Sequence, residues 1–220
     1  MALSFPPIAA ASLAWLVSAA AFAVAMAGTP GPNNAMLTSS GSLWGFRRTV
    51  PHMLGISVGF PLMLLAVASG LGALLRDHPT ILTTTRWIGA GYLLYLAWKI
   101  ATADPPLSAD DPPHIRSWAG QRPLSFLQAA LFQWVNPKAW LITFSALATV
   151  ASAGGHPSAV RALILACVFL AVTLPMTAAW TLVGVGVSRL FTTRQALRRF
   201  NVTMAALLVA SLVSALVGVG

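Results

Sequence analysis

The chain has 220 residues, 57% hydrophobic and 8% charged, with a mean hydropathy of +0.79, whereas a water-soluble domain carries about a quarter charged residues. Those values exclude a soluble monomer and a disordered chain, and leave a protein whose outer surface faces lipid. The net charge of +9 does not signal nucleic acid, because the basic residues fall singly or in pairs between apolar runs, as cytoplasmic membrane loops do.

A helix needs about 20 apolar residues to cross the ~30 Å hydrocarbon core. Six stretches qualify: residues 8–28, 52–75, 81–101, 126–151, 161–187 and 200–219. The first lacks a basic n-region and is expected as a retained span rather than a cleaved signal peptide. Residues 102–122 carry Asp104-Pro105-Pro106 and Asp111-Pro112-Pro113, so an extended linker is expected there. Lysines and arginines after spans one, three and five are Arg47, Arg48, Lys99, Arg116, Arg122, Arg189, Arg194, Arg198 and Arg199, against Arg76, Arg86 and Arg161 on the other side. Positive loops stay in the cytoplasm, so both termini are expected outside, in the periplasm of an inner-membrane protein.

The second and fifth spans share a spacing, Pro61 to Gly70-Leu71-Gly72 and Pro175 to Gly184-Val185-Gly186. The expected fold class is therefore an all-α polytopic membrane protein. Its six transmembrane helices form two three-helix repeats, residues 8–101 and 123–220, joined by the linker in one transmembrane domain. Three is odd, so the repeats are inverted in the membrane. Each repeat carries a helix break: Thr29-Pro30-Gly31-Pro32-Asn33-Asn34 in the first and Asn136-Pro137-Lys138 in the second. Proline ends a helix, and a new one restarts with Asn as N-cap and Pro in its first turn. The freed N–H groups at membrane depth must face protein or a watery cavity, where they suit an anionic group. Lys138 falls mid-way along its apolar stretch, a position costing about 2.5–3.5 kcal/mol on insertion scales, and it is expected to line that cavity. The alternative starts the true span at Asn136 and leaves Lys138 at the interface.

These strings carry a resemblance. Pro30-Gly31-Pro32-Asn33-Asn34, Gly45-Phe46-Arg47-Arg48, Gly55-Ile56-Ser57-Val58-Gly59, Trp87-Ile88-Gly89-Ala90-Gly91-Tyr92-Leu93, Leu96-Ala97-Trp98-Lys99-Ile100 and Phe132-Gln133-Trp134-Val135-Asn136-Pro137-Lys138 resemble the lysine exporter (LysE) superfamily, in its homoserine/threonine efflux (RhtB) branch. Within that branch they look most like the cysteine/O-acetylserine exporters. The resemblance implies a small permease that exports amino acids or their derivatives from the cytoplasm, driven by the proton-motive force.

A zwitterionic substrate needs both an anion partner and a cation partner. The half-helix starts near Asn33 and Asn136, with Lys138, supply the first. The second falls to break carbonyls, to amide oxygens of Asn33, Asn34 or Gln133, or to the Trp134 face. The candidate binding set is thus Pro30, Gly31, Pro32, Asn33, Asn34, Gln133, Trp134, Asn136, Pro137 and Lys138. No carboxylate falls within a span, which argues for a neutral substrate, since the second ammonium of lysine would be left unpaired. His52 is the one plausible proton carrier, although a solvated interfacial histidine is the stronger expectation. Gly55-Ile56-Ser57-Val58-Gly59 fits a hydrolase G-x-S-x-G pattern, but without the strand, turn, histidine and acid it reads as small residues that let helices pack. A scaffold subunit is the other non-enzyme reading, and it needs neither helix breaks nor a buried lysine. Cys167 is alone and expected in packing, no cofactor or metal is expected, and a homo-oligomer is compatible with the small-residue pairs.

Overall fold

Prolines start four of the helices, where a missing N–H costs nothing and the fixed φ suits the first turn. The computed structural model describes residues 7–103, 122–152, 159–190 and 193–217. It contains α1 (Pro7–Gly28), α2 (Pro32–Ala66), a π-helical turn (Val67–Leu71), α3 (Gly72–Asp77), α4 (Pro79–Ala101), α5 (Phe126–Val135), α6 (Pro137–Ser152), α7 (Ala159–Leu190) and α8 (Arg194–Val217). Every regular element among the described residues is a helix, in keeping with a polytopic membrane protein. Most of the expected linker, residues 104–121, lies outside the described residues.

Among the described residues three helices are long and apolar enough to cross a membrane, Pro32–Leu75, Ala159–Leu190 and Arg194–Ser214, while Leu13–Gly28 and Phe126–Val135 are shorter apolar helices. The longest of these is not one straight rod. At Gly45 the backbone takes φ 76° and ψ 174°, a conformation that glycine alone adopts cheaply. Ser40 Oγ and His52 Nδ1 lie 3.3 Å apart, although twelve residues of straight helix span ~18 Å. The chain therefore doubles back at Gly45.

The sequence reading expected a helix to restart near Asn33 but gave it no extent and counted residues 29–51 between spans. Residues 32–44 are helical, and every residue from Gly31 to Gly41 except Asn33 is buried. Polar Asn, Thr and Ser residues hid this helix, because a hydropathy scan rewards lipid-facing helices and passes over one enclosed by protein. The second break falls where expected: α5 ends at Val135, Asn136 is extended, and α6 starts at Pro137.

The proline–glycine spacing shared by the second and fifth spans does different work in each. Gly70, at φ 124°, sits in the π turn after α2, whereas Gly184 stays helical inside α7 and meets the backbone of Thr38. Gly55 and Gly59 place α2 against α5, facing Phe126 O, Ala129 and Ala130, the packing role expected of them.

Three apolar clusters hold the helices together. One joins α1, α2, α6 and α7 through Ala23, Phe60, Met63, Leu64, Leu165 and Phe169. A second joins α4 and α8 through Leu93, Leu96, Leu208 and Leu212, and a third holds Leu37, Met53, Ile56 and Ala129. Large apolar side chains such as Trp87, Leu131, Leu163 and Val183 point outward, which is the surface lipid tails require.

Contacts also gather the charges. Gly184 meets Ser42, Leu124, Phe46 and Val50 pack against one buried cluster, and Asn201 Nδ2 donates to Ala103 O at 3.2 Å. Arg47, Arg48, Lys99, Arg122, Arg189, Arg194, Arg198 and Arg199 thus belong to the same end of the bundle.

Candidate functional site

Two helix breaks each create a carbonyl-rich end and an N–H-rich end, and every such group needs a partner at membrane depth. At the end of α1, Asn34 Nδ2 donates to Ala27 O at 2.9 Å and to Thr29 O at 2.8 Å. Trp180 Nε1 reaches the same Ala27 carbonyl at 3.3 Å. At the end of α5, Trp140 Nε1 donates to Trp134 O at 2.7 Å.

The two restarted helices differ. Asn136 Oδ1 accepts from Lys138 N at 3.1 Å, so α6 carries the Asn cap and first-turn proline read from the sequence. Asn136→Ala is expected to cost about 0.5–2 kcal/mol, the usual value of an N-cap, seen as a Tm drop of a few degrees in detergent. An unchanged Tm would remove the cap from this account. By contrast α2 starts at Gly31 with no side-chain cap and Pro32 in its first turn, leaving the positive end of its dipole open.

The breaks meet half-way along the bundle. Asn33 Nδ2 donates to Gln133 Oε1 at 2.9 Å, and Gln133 Nε2 donates back to Asn33 Oδ1 at 3.3 Å and to Ala129 O at 2.9 Å. Lys138 Nζ crosses to the first break and donates to Thr29 O at 2.9 Å, Thr29 Oγ1 at 2.8 Å and Pro30 O at 3.3 Å. Gly31 makes room for it, since a Cβ there would meet Lys138 Cδ at 2.8 Å and Nζ at 2.9 Å.

Beside this junction lies a cavity of about 60 Å³, room for a few waters. Of the candidate residues, Gly31, Pro32, Asn33, Asn34, Asn136 and Lys138 line it. Gln133 stands behind Asn33 and is fully buried. Pro30 contributes its carbonyl to Lys138, and Pro137 opens α6. Trp134 stacks edge-on against Trp140, with ring centroids 6.1 Å apart, and neither it nor Pro137 lines the cavity. The remaining walls are Met26, Ile56, Phe60, Phe169, Thr173 and Thr177, among others. Among the described residues the walls carry one cation and no acid.

Thr173 and Thr177 escaped the sequence reading, and Thr29 entered it only as part of the first break, outside the candidate binding set. A signal was present: Thr173, Thr177 and Thr181 recur every fourth residue within the apolar run of α7, and all three are buried, as a polar stripe facing the interior must be. Ser57 Oγ lies 3.3 Å from Thr177 Oγ1, and Thr38 Oγ1 donates to Asn34 O at 2.8 Å, so the stripe continues on α2.

His52 corrects another expectation. It is 1% exposed rather than solvated, because the hairpin at Gly45 folds residues 32–44 over it, and its Nε2 has no hydrogen-bond partner.

With this geometry in hand, comparisons with known proteins converge. The family model "LysE type translocator" matches residues 22–217. The cysteine/O-acetylserine efflux protein of Escherichia coli (strain K12) is 34% identical over 182 residues, covering 82% of this chain and 87% of that protein. The protein of the same name from Salmonella typhimurium is 36% identical over 121 residues, 55% of this chain, and the match spans only 57% of that relative's length. No solved structure matches the chain.

Proposed function

Because the chain belongs to the LysE type translocator family, a family of carriers rather than enzymes, we propose that it exports neutral amino acids or close derivatives, of the cysteine/O-acetylserine or homoserine/threonine kind, out of the cytoplasm. The observation that carries this reading is the cavity at the junction of the two helix breaks, walled by apolar side chains and, among the described residues, bearing one cation and no acid. The open start of α2 at Gly31, with Asn33 and Asn34 in its first turn, receives the substrate carboxylate. Asn136 and the threonines of α7 fix the rest of a small molecule, and Pro30, Gln133, Trp134 and Pro137 support the site from behind. A second ammonium, as in lysine, would find no countercharge in these walls and would face Lys138.

The bundle is read as six spans in two inverted repeats within one transmembrane domain. The first span is α1 with residues 32–44, and the fourth is α5 with α6. Each is broken at mid-depth, which is the arrangement of carriers that rock one half against the other. The gathering of basic residues at one end supports a cytoplasmic position for that end, with both termini outside, in the inner membrane. The driving force is the proton-motive force, and the partners are the amino-acid substrate, the lipid bilayer and, in a homo-oligomer, further copies of the chain.

Export by purified protein in liposomes tests the reading. O-acetylserine, cysteine, threonine and homoserine are expected to move at least tenfold faster than lysine and arginine, and equal rates for the two groups would sink the neutral-substrate reading.

A further inference from the structure

Lys138 stands in the wrong place for a simple carboxylate anchor. An ammonium group has three N–H donors, and all three are engaged by uncharged oxygens: Thr29 O, Thr29 Oγ1 and Pro30 O. These oxygens sit where α1 ends, at the negative pole of its dipole, and Thr29 N still bonds back to Ala25 O at 3.0 Å as part of that last turn. The next residue, Gly31, begins the open positive pole of α2. A cation seat and an anion seat therefore lie on consecutive residues beside one cavity. An α-amino acid carries its ammonium and carboxylate on one carbon and requires that adjacency. In this structure the cation seat is filled by the lysine of the other break.

The geometry points to a tethered surrogate: the Thr29–Pro30 oxygens are the seat of the substrate's ammonium group, and Lys138 Nζ occupies that seat until substrate displaces it. The inference rests on the amino-acid reading above and deepens it by assigning the group that recognises the cation. Lys138 holds the two breaks together in the empty carrier, and substrate takes over the cation seat, freeing Lys138 from the first break. Competition for one seat also explains why a cavity without an acid can accept a zwitterion: its cation partner is a ring of dipoles, satisfied in both states. The cost of evicting the lysine weakens substrate binding by the fraction of molecules in which the seat is free.

Two experiments on the purified full-length protein test this. In the first, Lys138→Met vacates the seat while keeping the bulk of the side chain. This variant is expected to bind methylammonium, which wild type does not bind at the same concentration, and to bind O-acetylserine at least tenfold more tightly than wild type. In a Thr29→Val/Lys138→Met double variant, which lacks one seat oxygen, the methylammonium affinity is expected to fall several-fold again. Loss of O-acetylserine binding in Lys138→Met, or no methylammonium binding, would overturn the surrogate. The methylammonium arm needs no transport, so it separates failure of the seat from failure of the exporter reading. The second experiment uses wild type and is indifferent to how the variants fold. The sequence has two lysines, Lys99 and Lys138. Trace acetylation followed by mass spectrometry is expected to show the Lys138-to-Lys99 labelling ratio rising several-fold with saturating O-acetylserine. A ratio that stays level or falls would mean that substrate does not evict the lysine.

Discussion

Gly184→Val is expected to abolish export, whereas Gly186→Ala, two residues on in the same Gly-Val-Gly string, is expected to leave it intact. A Cβ at Gly184 meets Thr38 O, Thr38 C at 2.8 Å and Ser42 N at 2.9 Å. All three are backbone atoms, which cannot swing aside as the end of a side chain can. Gly41 makes the reciprocal contact with the Thr181 backbone, so the seam between α7 and residues 32–44 is closed by glycine from both sides. Inserting bulk into a packed interior costs about 1–3 kcal/mol, and more when the obstacle is backbone. A Cβ at Gly186 meets nothing within 4 Å, and alanine is worth about 0.5–1 kcal/mol over glycine inside a helix. Export rate and Tm of the two variants check this, and equal loss in both would mean that the seam does not depend on this close approach.

That seam illustrates what hydropathy and motif could and could not reveal. Helices with lipid-facing sides announced themselves, which is why α4 and α7 fall within three residues of their expected bounds, while α8 starts six residues earlier than expected. The break at Asn136 was legible because proline and asparagine change backbone chemistry locally, and local chemistry is what a sequence states outright. The extent of the helix over residues 32–44 was not legible: Asn34, Thr38, Ser39 and Ser40 are buried, and some of their partners lie across the bundle, as when Thr38 Oγ1 approaches Trp180 O at 3.2 Å. A polar helix enclosed by protein looks like a loop to any scale built on transfer to lipid. His52 was misplaced because its burial depends on the reversal at Gly45 that brings Ser40 against it, which the reading did not contain. The candidate residues of the two breaks meet in space, but their pairings, Asn33 with Gln133 and Lys138 with Thr29, are tertiary facts that no spacing encodes.

Gln133→Leu tests the pairing that joins the breaks. Gln133 is fully buried, and leucine removes both of its hydrogen bonds to Asn33 and the one to Ala129 O. Side-chain hydrogen bonds inside membrane proteins average about 0.6 kcal/mol by double-mutant cycle, while a buried amide left without partners costs about 1–3 kcal/mol. The stability loss is therefore expected to be modest, a Tm drop of several degrees with the protein still inserted. The loss of export is expected to be larger, at least tenfold. Asn33 lines the cavity, and its amide, no longer held across the bundle, is free to turn into the space that substrate occupies. The double variant Asn33→Leu/Gln133→Leu separates the two effects. Replacing both partners by apolar groups removes the unsatisfied amide, so stability returns towards wild type. Export does not return with it, because the polar wall of the cavity and the link between its two halves are both gone. If the single variant exports normally, or if the double variant recovers export along with Tm, the bridge is a packing device and the site lies elsewhere.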